Sequence, residues 1–385
     1  MSYASGNGTF FLTDALERAG SGKFPAFWGN CCDGTQWGLA VMLADERESG
    51  ATEVRRKVAV IVPAYNAEAS LGDCLNSVMS QSFFPSQVIV VDDGSKDGTR
   101  MVARSFGDRV TCLEQDNQGQ GAARNLGIAH VDADYLAFLD ADDYWLPSFL
   151  ERGVEFLDRH PEAIAVSTAF VVRAADGREV VRPEAVNVPH ELSGPRVLGD
   201  FFGFWAAQDH VRTGTVLIRK AVVDGAGPQR ADLRISQDLE YWGYLATFGA
   251  WGFIPEPLWV GNSRAAAATG WLTKYRARRR LCPTVESWEQ RIVPRLEPHQ
   301  WPSFRIVRGR VAANFAHSKI LGGAPDEALE IVRKYGDEMP ANRLTKLLKS
   351  AARAGGGAWR AACLVVHAKE LSKVGMMQLG ARFSA

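Results

Sequence analysis

Residues 58–66 read VAVIVPAYN, and residues 87–95 read QVIVVDDGS. Each stretch begins with apolar, mostly β-branched residues and ends in polar or turn-forming ones, a pattern typical of a strand buried on both faces of a sheet. Between them, Leu71, Leu75 and Val78 recur at helical spacing. This order of strand, helix and strand predicts a βαβ unit with a right-handed crossover, and therefore a parallel sheet.

The alternation of strands and helices continues along the chain. Further strands are predicted at 110–115, 135–140, 163–173 and 214–218, with short strands broken by two prolines at 251–260. Helices are predicted at 67–80, 97–106, 121–130 and 238–248, and nearly everything beyond residue 273 has helical periodicity (273–292, 301–320, 325–335, 341–353 and 358–374). We therefore predict an α/β fold with a mostly parallel, Rossmann-like central sheet flanked by helices at 56–270, and a helical, basic C-terminal region at 271–385.

Composition limits the function classes. The chain has 385 residues, 46% of them hydrophobic, and its 44 Lys and Arg balance 44 Asp and Glu. This length and apolar content suit two or three packed domains and exclude a disordered or collagen-like chain. Zero net charge argues against a general nucleic-acid binder, although residues 301–385 hold 14 Lys and Arg against 6 Asp and Glu.

Cysteine usage and hydropathy predict a cytoplasmic protein, at most peripheral on the inner face of the cell membrane. No stretch approaches the length of about 18 apolar residues that a membrane span needs, and the first 20 residues lack the regions of a secretory signal. The six cysteines have irregular spacing without a CxxC motif, which predicts reduced thiols; they are Cys31, Cys32, Cys74, Cys112, Cys282 and Cys363.

The glycine-rich residues 1–55 do not share the pattern of the following strands. We expect an N-terminal extension there. Residues 1–41 are either a small accessory segment or the result of start-codon choice, since Met42 opens a polar leader that runs into the first strand.

Three predicted strands end in polar clusters, at 63–66 (PAYN), 92–95 (DDGS) and 140–143 (DADD). Ligands of open α/β sheets bind beyond the carboxyl ends of the strands. Turn formation would explain any one of these clusters, but three clusters at one sheet edge indicate a binding site.

Asp140, Asp142 and Asp143 bring three carboxylates within four residues. Such crowding costs free energy unless a cation or solvent offsets it. Carboxylate oxygens suit Mg²⁺ or Mn²⁺ held jointly with substrate phosphates. A DxD motif is common by chance, and its position directly after a buried strand is what favours a metal–diphosphate site.

The loop NQGQGAARN, residues 117–125, opens a predicted helix. Free amides at a helix N-terminus favour an anion, and Arg124 adds a positive charge. The loop is not a GxGxxG fingerprint, and a helix start with a solvated arginine is the alternative interpretation.

Four motifs in order, VAVIVPAYNAEASLGDCLNSVMSQSF, VIVVDDGSKDGT, NQGQGAARNLGI and YLAFLDADDYW, resemble the nucleotide-binding half of family 2 glycosyltransferases. The resemblance covers about residues 58–158 and extends more loosely to 261. It implies a GT-A fold and an inverting, metal-dependent hexosyltransferase that uses Mn²⁺ or Mg²⁺. The donor would be a nucleotide-diphospho-sugar, in the first instance a UDP-sugar. The acceptor would be a hydroxyl of a saccharide or a lipid-linked molecule, in cell-envelope or exopolysaccharide biosynthesis.

The resemblance also implies residue roles. Asp93 would accept the ring N–H of uracil, Asp140 or Asp142 would contact the ribose, and Asp142 or Asp143 would bind the metal. The full set expected to bind the nucleotide-sugar is Pro63, Ala64, Tyr65, Asn66, Asp93, Gly94, Asn117, Gly121, Arg124, Asp140, Ala141 and Asp142.

The catalytic base that the resemblance implies lies in a helix-opening acidic pair, matched here by Gln237-Asp238-Leu239-Glu240. Gln237 stands where Glu is frequent, so Asp238 is the expected base and Glu240 the fallback. Asp238 would take a proton from the acceptor hydroxyl as that hydroxyl attacks the anomeric carbon. One displacement would invert the anomeric configuration. The simpler alternative is that Asp238 only caps its helix.

Several features have two interpretations. Trp205 and Trp242 could stack on a sugar, but core packing is favoured, and His210 could approach the metal, but a structural role is favoured. Residues 226–236 could form a mobile loop over the donor. The basic residues from 274 onward could contact an anionic membrane, or form the solvated face of a helical subdomain.

Two other functions remain open. A sugar-phosphate nucleotidyltransferase would carry a GxGTR-type loop near the first strand, where VPAYN stands. A non-catalytic nucleotide-sugar-binding assembly partner would be expected to lose its acidic residues, yet Asp93, Asp142 and Asp238 are all present.

Overall fold

The computed structural model describes residues 56–173, 178–183, 194–262 and 279–383. The predicted extension at 1–55 lies outside these residues, as do Lys274, Arg276 and Arg278 of the basic region. Residues 55–385 form one compact unit, and the division near residue 270 stays a prediction. Across the described ranges, no helix combines the length and the apolar composition that crossing a bilayer requires.

The central element is a mixed sheet, with ten strands in the described residues. The strands are β1 Val58–Ala64, β2 Gln87–Asp92, β3 Thr111–Glu114, β4 Tyr135–Phe138, β5 Tyr144–Trp145, β6 Ala163–Arg173, β7 Glu179–Arg182, β8 Arg196–Leu198, β9 Val216–Arg219 and β10 Ala250–Asn262. Their order is β3-β2-β1-β4-β9-β6-β10-β5, with β7 paired to β6 and β8 paired to β10. Strand β9 runs antiparallel to both β4 and β6, while β6 and β10 are parallel to each other.

Strand β1 lies in the interior of the sheet. It pairs in parallel with β2 on one side and with β4 on the other, and all seven of its residues are buried. The chain places β2 and β3 to one side of β1 and then crosses to place β4 on the other side. Such a reversal of strand order opens a crevice at the carboxyl ends of β1 and β4.

Helices cover both faces of the sheet. They are α1 Leu71–Met79, α2 Thr99–Arg104, α3 Gln120–Ile128, α4 Phe149–Arg159, α5 Phe201–Ala207, α6 Lys220–Ala226, α7 Gln237–Leu245, α8 Val285–Glu289, α9 Trp301–Gly322, α10 Pro325–Tyr335, α11 Arg343–Ala354 and α12 Gly356–Phe383. Val58, Val60 and Val62 face a core shared with α1 and α4, whereas Ala59 and Ile61 face the core that α3, α5 and α7 cover.

The C-terminal helices pack on the second of these cores. Phe304 of α9 makes edge contact with Phe202 of α5 at a ring-centroid distance of 5.3 Å and stacks on Trp288 of α8 at 6.3 Å. Both phenylalanines and the tryptophan are fully buried. The hydrophobic core is therefore continuous from the sheet into the helical region.

The α/β class, the helix-flanked sheet and the helical C-terminal region are confirmed, and strand β6 has the predicted bounds. The sheet is mixed: β1 to β4 are parallel to their neighbours among themselves, whereas β9 is antiparallel to β4 and β6. One difference concerns β10, which is a single strand instead of short broken strands. Its register against β6 shifts between Ile254 and Pro257 and again between Pro257 and Trp259. These irregularities accommodate the prolines, which cannot donate a ladder hydrogen bond.

A buried ion pair joins α7 to the C-terminal region. Glu240 is fully buried and accepts hydrogen bonds from Nε and Nη2 of Arg291, at 2.8 and 2.7 Å. Arg291 also donates to the Pro228 carbonyl at 2.9 Å and lies 4.2 Å from the ring centroid of Tyr244. The pair thus connects three segments that are distant in sequence.

We predict that Glu240→Ala lowers the free energy of unfolding by about 3 kcal/mol, because it leaves the Arg291 charge without its partner in a largely buried position. Urea denaturation followed by tryptophan fluorescence measures the change. The matched control is Glu155→Ala, which removes exposed pairs with Arg152 and Arg159 and should cost less than about 1 kcal/mol. Equal losses in the two variants would contradict the structural role of the Glu240–Arg291 pair.

Candidate functional site

A cavity of about 510 Å³ opens beyond the carboxyl ends of β1, β2 and β4. Its wall comes from strand ends, from the loop before α3, from the segment before α7 and from one residue that precedes α8. The lining residues are Pro63, Ala64, Tyr65, Asn66, Ala67, Ser70, Asp93, Asn117, Gln118, Gly119, Gln120, Gly121, Ala141, Asp142, Ala231, Leu233, Arg234, Gln237 and Leu281.

Nine of the fourteen predicted site residues line this cavity, namely Pro63, Ala64, Tyr65, Asn66, Asp93, Asn117, Gly121, Ala141 and Asp142. The other five, Gly94, Arg124, Asp140, Asp143 and Asp238, are not on its wall. The individual roles of all fourteen stay predictions.

The loops after β1 and β2 are tied to each other. The Asn66 N–H donates to Ser95 Oγ at 2.9 Å, and the Lys96 N–H donates to Asn66 Oδ1 at 2.9 Å. Asn66 and Ser236 have positive φ angles of 49° and 58°, a conformation that is unfavourable for residues other than glycine. Such conformations concentrate at functional sites, and here Asn66 lies in the cavity wall while Ser236 precedes the cavity residue Gln237.

The Asp93 carboxylate organises the glycine-bearing loop. Its Oδ1 accepts from the Gln115 side chain at 2.7 Å and from the Gln118 N–H at 2.8 Å, and its Oδ2 accepts from the Gly119 N–H at 2.8 Å. A carboxylate offers about four acceptor positions, so one remains for a ligand. Gly94, which is not on the cavity wall, is needed for the backbone conformation. Its φ is +76°, and a side chain there would press on the Asn117 backbone.

Arg124 is almost fully buried, so the solvated-arginine alternative is wrong. Its Nη2 donates to Asp140 Oδ1 at 2.7 Å. Its Nε and Nη1 are buried and have no hydrogen-bond partner in the described part of the chain. Unmet buried donors cost free energy, and Asp140 offsets part of that cost.

Asp142 is the cavity residue whose electrostatics best suit a cation. Burial and the neighbouring Asp140 charge raise the pKa of the Asp142 carboxyl above its usual value. A positive ion in the cavity would offset both effects. The described residues hold no cluster of three or more His, Cys, Asp or Glu arranged for a metal. Asp142, with Asp143, therefore fits a divalent ion only if ligand oxygens complete its coordination.

Asp238 is the second residue of α7, and Ser236 precedes the helix, so the interpretation of Asp238 as the helix cap is wrong. Its half-exposed carboxylate makes no hydrogen bond or ion pair with any described residue, and the start of α7 favours its negative charge. Its neighbour Gln237 lines the cavity and has a buried Oε1 without a partner among the described residues. Glu240 is held by Arg291, which removes it as the fallback base.

Core packing is confirmed for Trp205 and Trp242, which are both buried. His210 is also fully buried, with its Nδ1 at 2.9 Å from Ser167 Oγ and aromatic rings around it. Burial lowers the pKa of His210 to about 3, which matches the structural role favoured for it.

The sequence interpretation missed Arg234, an exposed cation on the cavity wall. Its Nη1 donates to the Gln118 carbonyl, and its guanidinium occupies the space that a side chain at Gly119 would need. The segment of Arg234 is anchored by a reciprocal pair, in which Asn125 Nδ2 donates to the Gln229 carbonyl at 2.9 Å and the Gln229 N–H donates to Asn125 Oδ1 at 2.8 Å. Since more than 100 residues separate Asn125 from Gln229, the sequence carried no signal for this contact.

Comparison with known proteins relates one segment of the chain, which supplies most of the cavity wall, to a described family. Residues 59–225 match the family described as glycosyl transferase family 2. Glycosyltransferase AglE of Haloferax volcanii is 46% identical over 103 residues, which are 25% of this chain and 34% of AglE. Glycosyltransferase GlyA of Streptococcus pneumoniae is 32% identical over 124 residues, which are 31% of this chain and 18% of GlyA. The chain thus spans about a third or less of the length of these relatives. The predicted resemblance to family 2 glycosyltransferases is confirmed.

The fold is shared over a longer stretch. The structure of TarS 1-349 from S. aureus in complex with UDP covers 82% of this chain and 92% of its own, with 18% identity and a TM-score of 0.54. This likeness shows the fold, which confirms the predicted GT-A architecture.

The raised pKa of Asp142 predicts that Asp142→Asn stabilises the metal-free protein. The folded state disfavours the ionised carboxylate, so above the raised pKa the wild type loses stability that a neutral amide keeps. We expect Asp142→Asn to melt at a higher temperature than the wild type at pH 8 with a chelator present. The difference should shrink as the pH falls through the pKa of Asp142. The control Asp108→Asn changes an exposed residue, and an equal shift in that variant would contradict the assignment.

Proposed function

We infer from the glycosyltransferase family 2 domain at residues 59–225 that this chain transfers a sugar from a nucleotide-diphospho-sugar to an acceptor hydroxyl. The observation that carries this inference is the cavity at the carboxyl ends of β1, β2 and β4. Its volume of about 510 Å³ lies within the range of about 300–1,000 Å³ typical of small-molecule sites. Most of its wall comes from the family-matched segment.

The chemistry of the cavity wall supports a nucleoside diphosphate as the bound part of the donor. The ring of Tyr65 is half exposed at the cavity and offers a stacking surface for a base. Helix α3 begins at Gln120, so its first amides are available to an anion on the same wall as Arg234. We propose a UDP-sugar, because the TarS structure that shares this fold is a complex with UDP.

A divalent ion, Mn²⁺ or Mg²⁺, is part of the proposal. Asp142 and Asp143 would hold it together with diphosphate oxygens. When bound, it would supply positive charge against the negative charge of the departing nucleoside diphosphate. The raised pKa of Asp142 supports this assignment, because the folded chain disfavours that negative charge when no cation is present.

Asp238 is the proposed general base. It would accept the proton of the acceptor hydroxyl during attack on the anomeric carbon, and a single displacement would invert the anomeric configuration. Three features support Asp238: its place beside the cavity residue Gln237, its lack of a partner in the described residues, and the engagement of Glu240 by Arg291. The proposed acceptors are saccharides or lipid-linked molecules of cell-envelope or exopolysaccharide synthesis. A contact of the basic C-terminal region with the membrane belongs to the same proposal.

Donor binding is tested by thermal shift with UDP, GDP, dTDP and CMP, each with and without Mn²⁺. A ligand that binds only the folded state raises the melting temperature by mass action. We expect a shift that needs both UDP and Mn²⁺ and that Asp142→Asn abolishes. Arg234→Ala should weaken UDP binding about tenfold, because it removes a cation from the diphosphate side of the cavity. The control Arg109→Ala, an exposed arginine outside the cavity wall, should leave the affinity unchanged. No shift with any nucleotide would overturn the proposed donor.

Catalysis is tested with Asp238→Asn. This isosteric change removes the proton acceptor, so we expect the transfer rate to fall by about 10²–10⁴-fold while the UDP affinity stays near that of the wild type. Asp224→Asn, an exposed residue paired with Lys220, is the matched control and should keep full activity. Transfer at the wild-type rate by Asp238→Asn would move the base elsewhere. A wild type that binds UDP with Mn²⁺ but transfers no sugar to any acceptor would favour the non-catalytic assembly partner.

A further inference from the structure

Apolar side chains are exposed on the last two helices of the described residues, α11 and α12. Leu364, Val365 and Leu371 on α12 are 68%, 48% and 52% exposed, and Leu347 on α11 is 38% exposed. Leu364 and Leu371 are seven residues apart, so they lie on one side of α12 with Val365 next to them. We call the exposed side chains of α11 and of α12 up to Leu371 the hairpin face.

The opposite sides of both helices are buried. Leu348 and Ala352 of α11, and Trp359, Ala362 and Val366 of α12, belong to the core that the C-terminal helices share with the sheet. The Trp359 Nε1–H also donates to the Pro325 carbonyl at 3.1 Å. The inner sides of both helices therefore anchor them to the protein, and the apolar residues of the hairpin face do not belong to this core.

The hairpin face is basic as well as apolar. Residues 341–369 contain six Lys and Arg and no Asp or Glu. Arg343, Lys346 and Arg360 are exposed and form no ion pair within the described ranges. The nearest acids in the chain are largely occupied, since Glu370 is buried on the inner side of α12 and Asp337 pairs with Lys349 at 3.0 Å.

We propose that the hairpin face binds the surface of an anionic lipid bilayer, with the apolar side chains entering the interface and the cations meeting lipid headgroups. This combination is what interfacial helices use. A second copy of the chain would set like charges against each other at this face, and a nucleic acid would gain nothing from the exposed aliphatic side chains. The inference deepens the proposed function. It rests on that function only for the biological purpose of the membrane contact, which is to hold the enzyme near a lipid-linked acceptor.

The experiment is co-sedimentation of the full chain with vesicles of phosphatidylcholine alone or mixed with roughly 30% phosphatidylglycerol, a composition chosen to supply a negative surface. We expect binding to the anionic vesicles, little binding to neutral ones, and a loss of binding as salt rises. Lys346→Ala/Arg360→Ala should weaken binding about 25-fold, at about fivefold for each cation removed. Leu364→Ser/Val365→Ser should weaken it at least about tenfold by removing the inserted apolar groups.

The matched control is Arg109→Ala/Arg159→Ala, which changes the net charge equally at exposed positions outside α11 and α12 and should keep wild-type binding. The proposal is overturned if the wild type ignores anionic vesicles, or if the control loses as much binding as the hairpin variants. It is also overturned if Leu364→Ser/Val365→Ser converts a dimer to a monomer while vesicle binding stays unchanged. Thermal shift with UDP and Mn²⁺ on the same samples separates the two proposals, because nucleotide binding does not depend on the hairpin face.

Discussion

The structure depends on one constraint, which is that β1 has neither an exposed face nor a free edge. Its residues are buried between two helical layers, and β2 and β4 take up its backbone hydrogen bonds on both sides. No polar side chain can be placed along such a strand without a large desolvation cost. Polar groups therefore begin only where the strand ends, and the reversal of strand order at β1 brings the ends of β2 and β4 to the same place. The cavity is a consequence of that topology.

Charged groups in and around the cavity lower the stability of the folded protein. Arg124 is buried with only one of its donor groups satisfied in the described part of the chain, and the raised pKa of Asp142 shows that its negative charge is unfavourable there. Asn66 and Ser236 adopt backbone conformations that residues other than glycine avoid. Natural proteins retain such features where function needs them. A cation beside Asp142 would offset the unfavourable negative charge there.

The C-terminal region completes the cavity wall and presents a second surface. Leu281 reaches the cavity wall, Arg291 holds Glu240 inside the ion pair, and Phe304 extends the hydrophobic core of the sheet. Toward solvent, the same region exposes aliphatic and basic side chains together on α11 and α12. The C-terminal region thus connects the proposed reaction site with the surface that would face a membrane holding a lipid-linked acceptor.

The parallel strands, most of the helices and the polar clusters at the strand ends could be predicted from the amino-acid sequence. Burial on both faces imposes continuous apolar runs, and the strand ends must hold the polar residues. The sequence also carried the four motifs of the family. Four features could be seen only in the folded structure: Asp93 binds the glycine loop, Arg124 is buried against Asp140, Glu240 is engaged by Arg291, and Arg234 joins the cavity wall. These contacts join segments that are distant in sequence, and the one between Arg234 and Gln118 spans more than 100 residues. Periodicity and local motifs report only on neighbours along the chain, whereas partners at such separations are set by how the helices pack on the finished sheet.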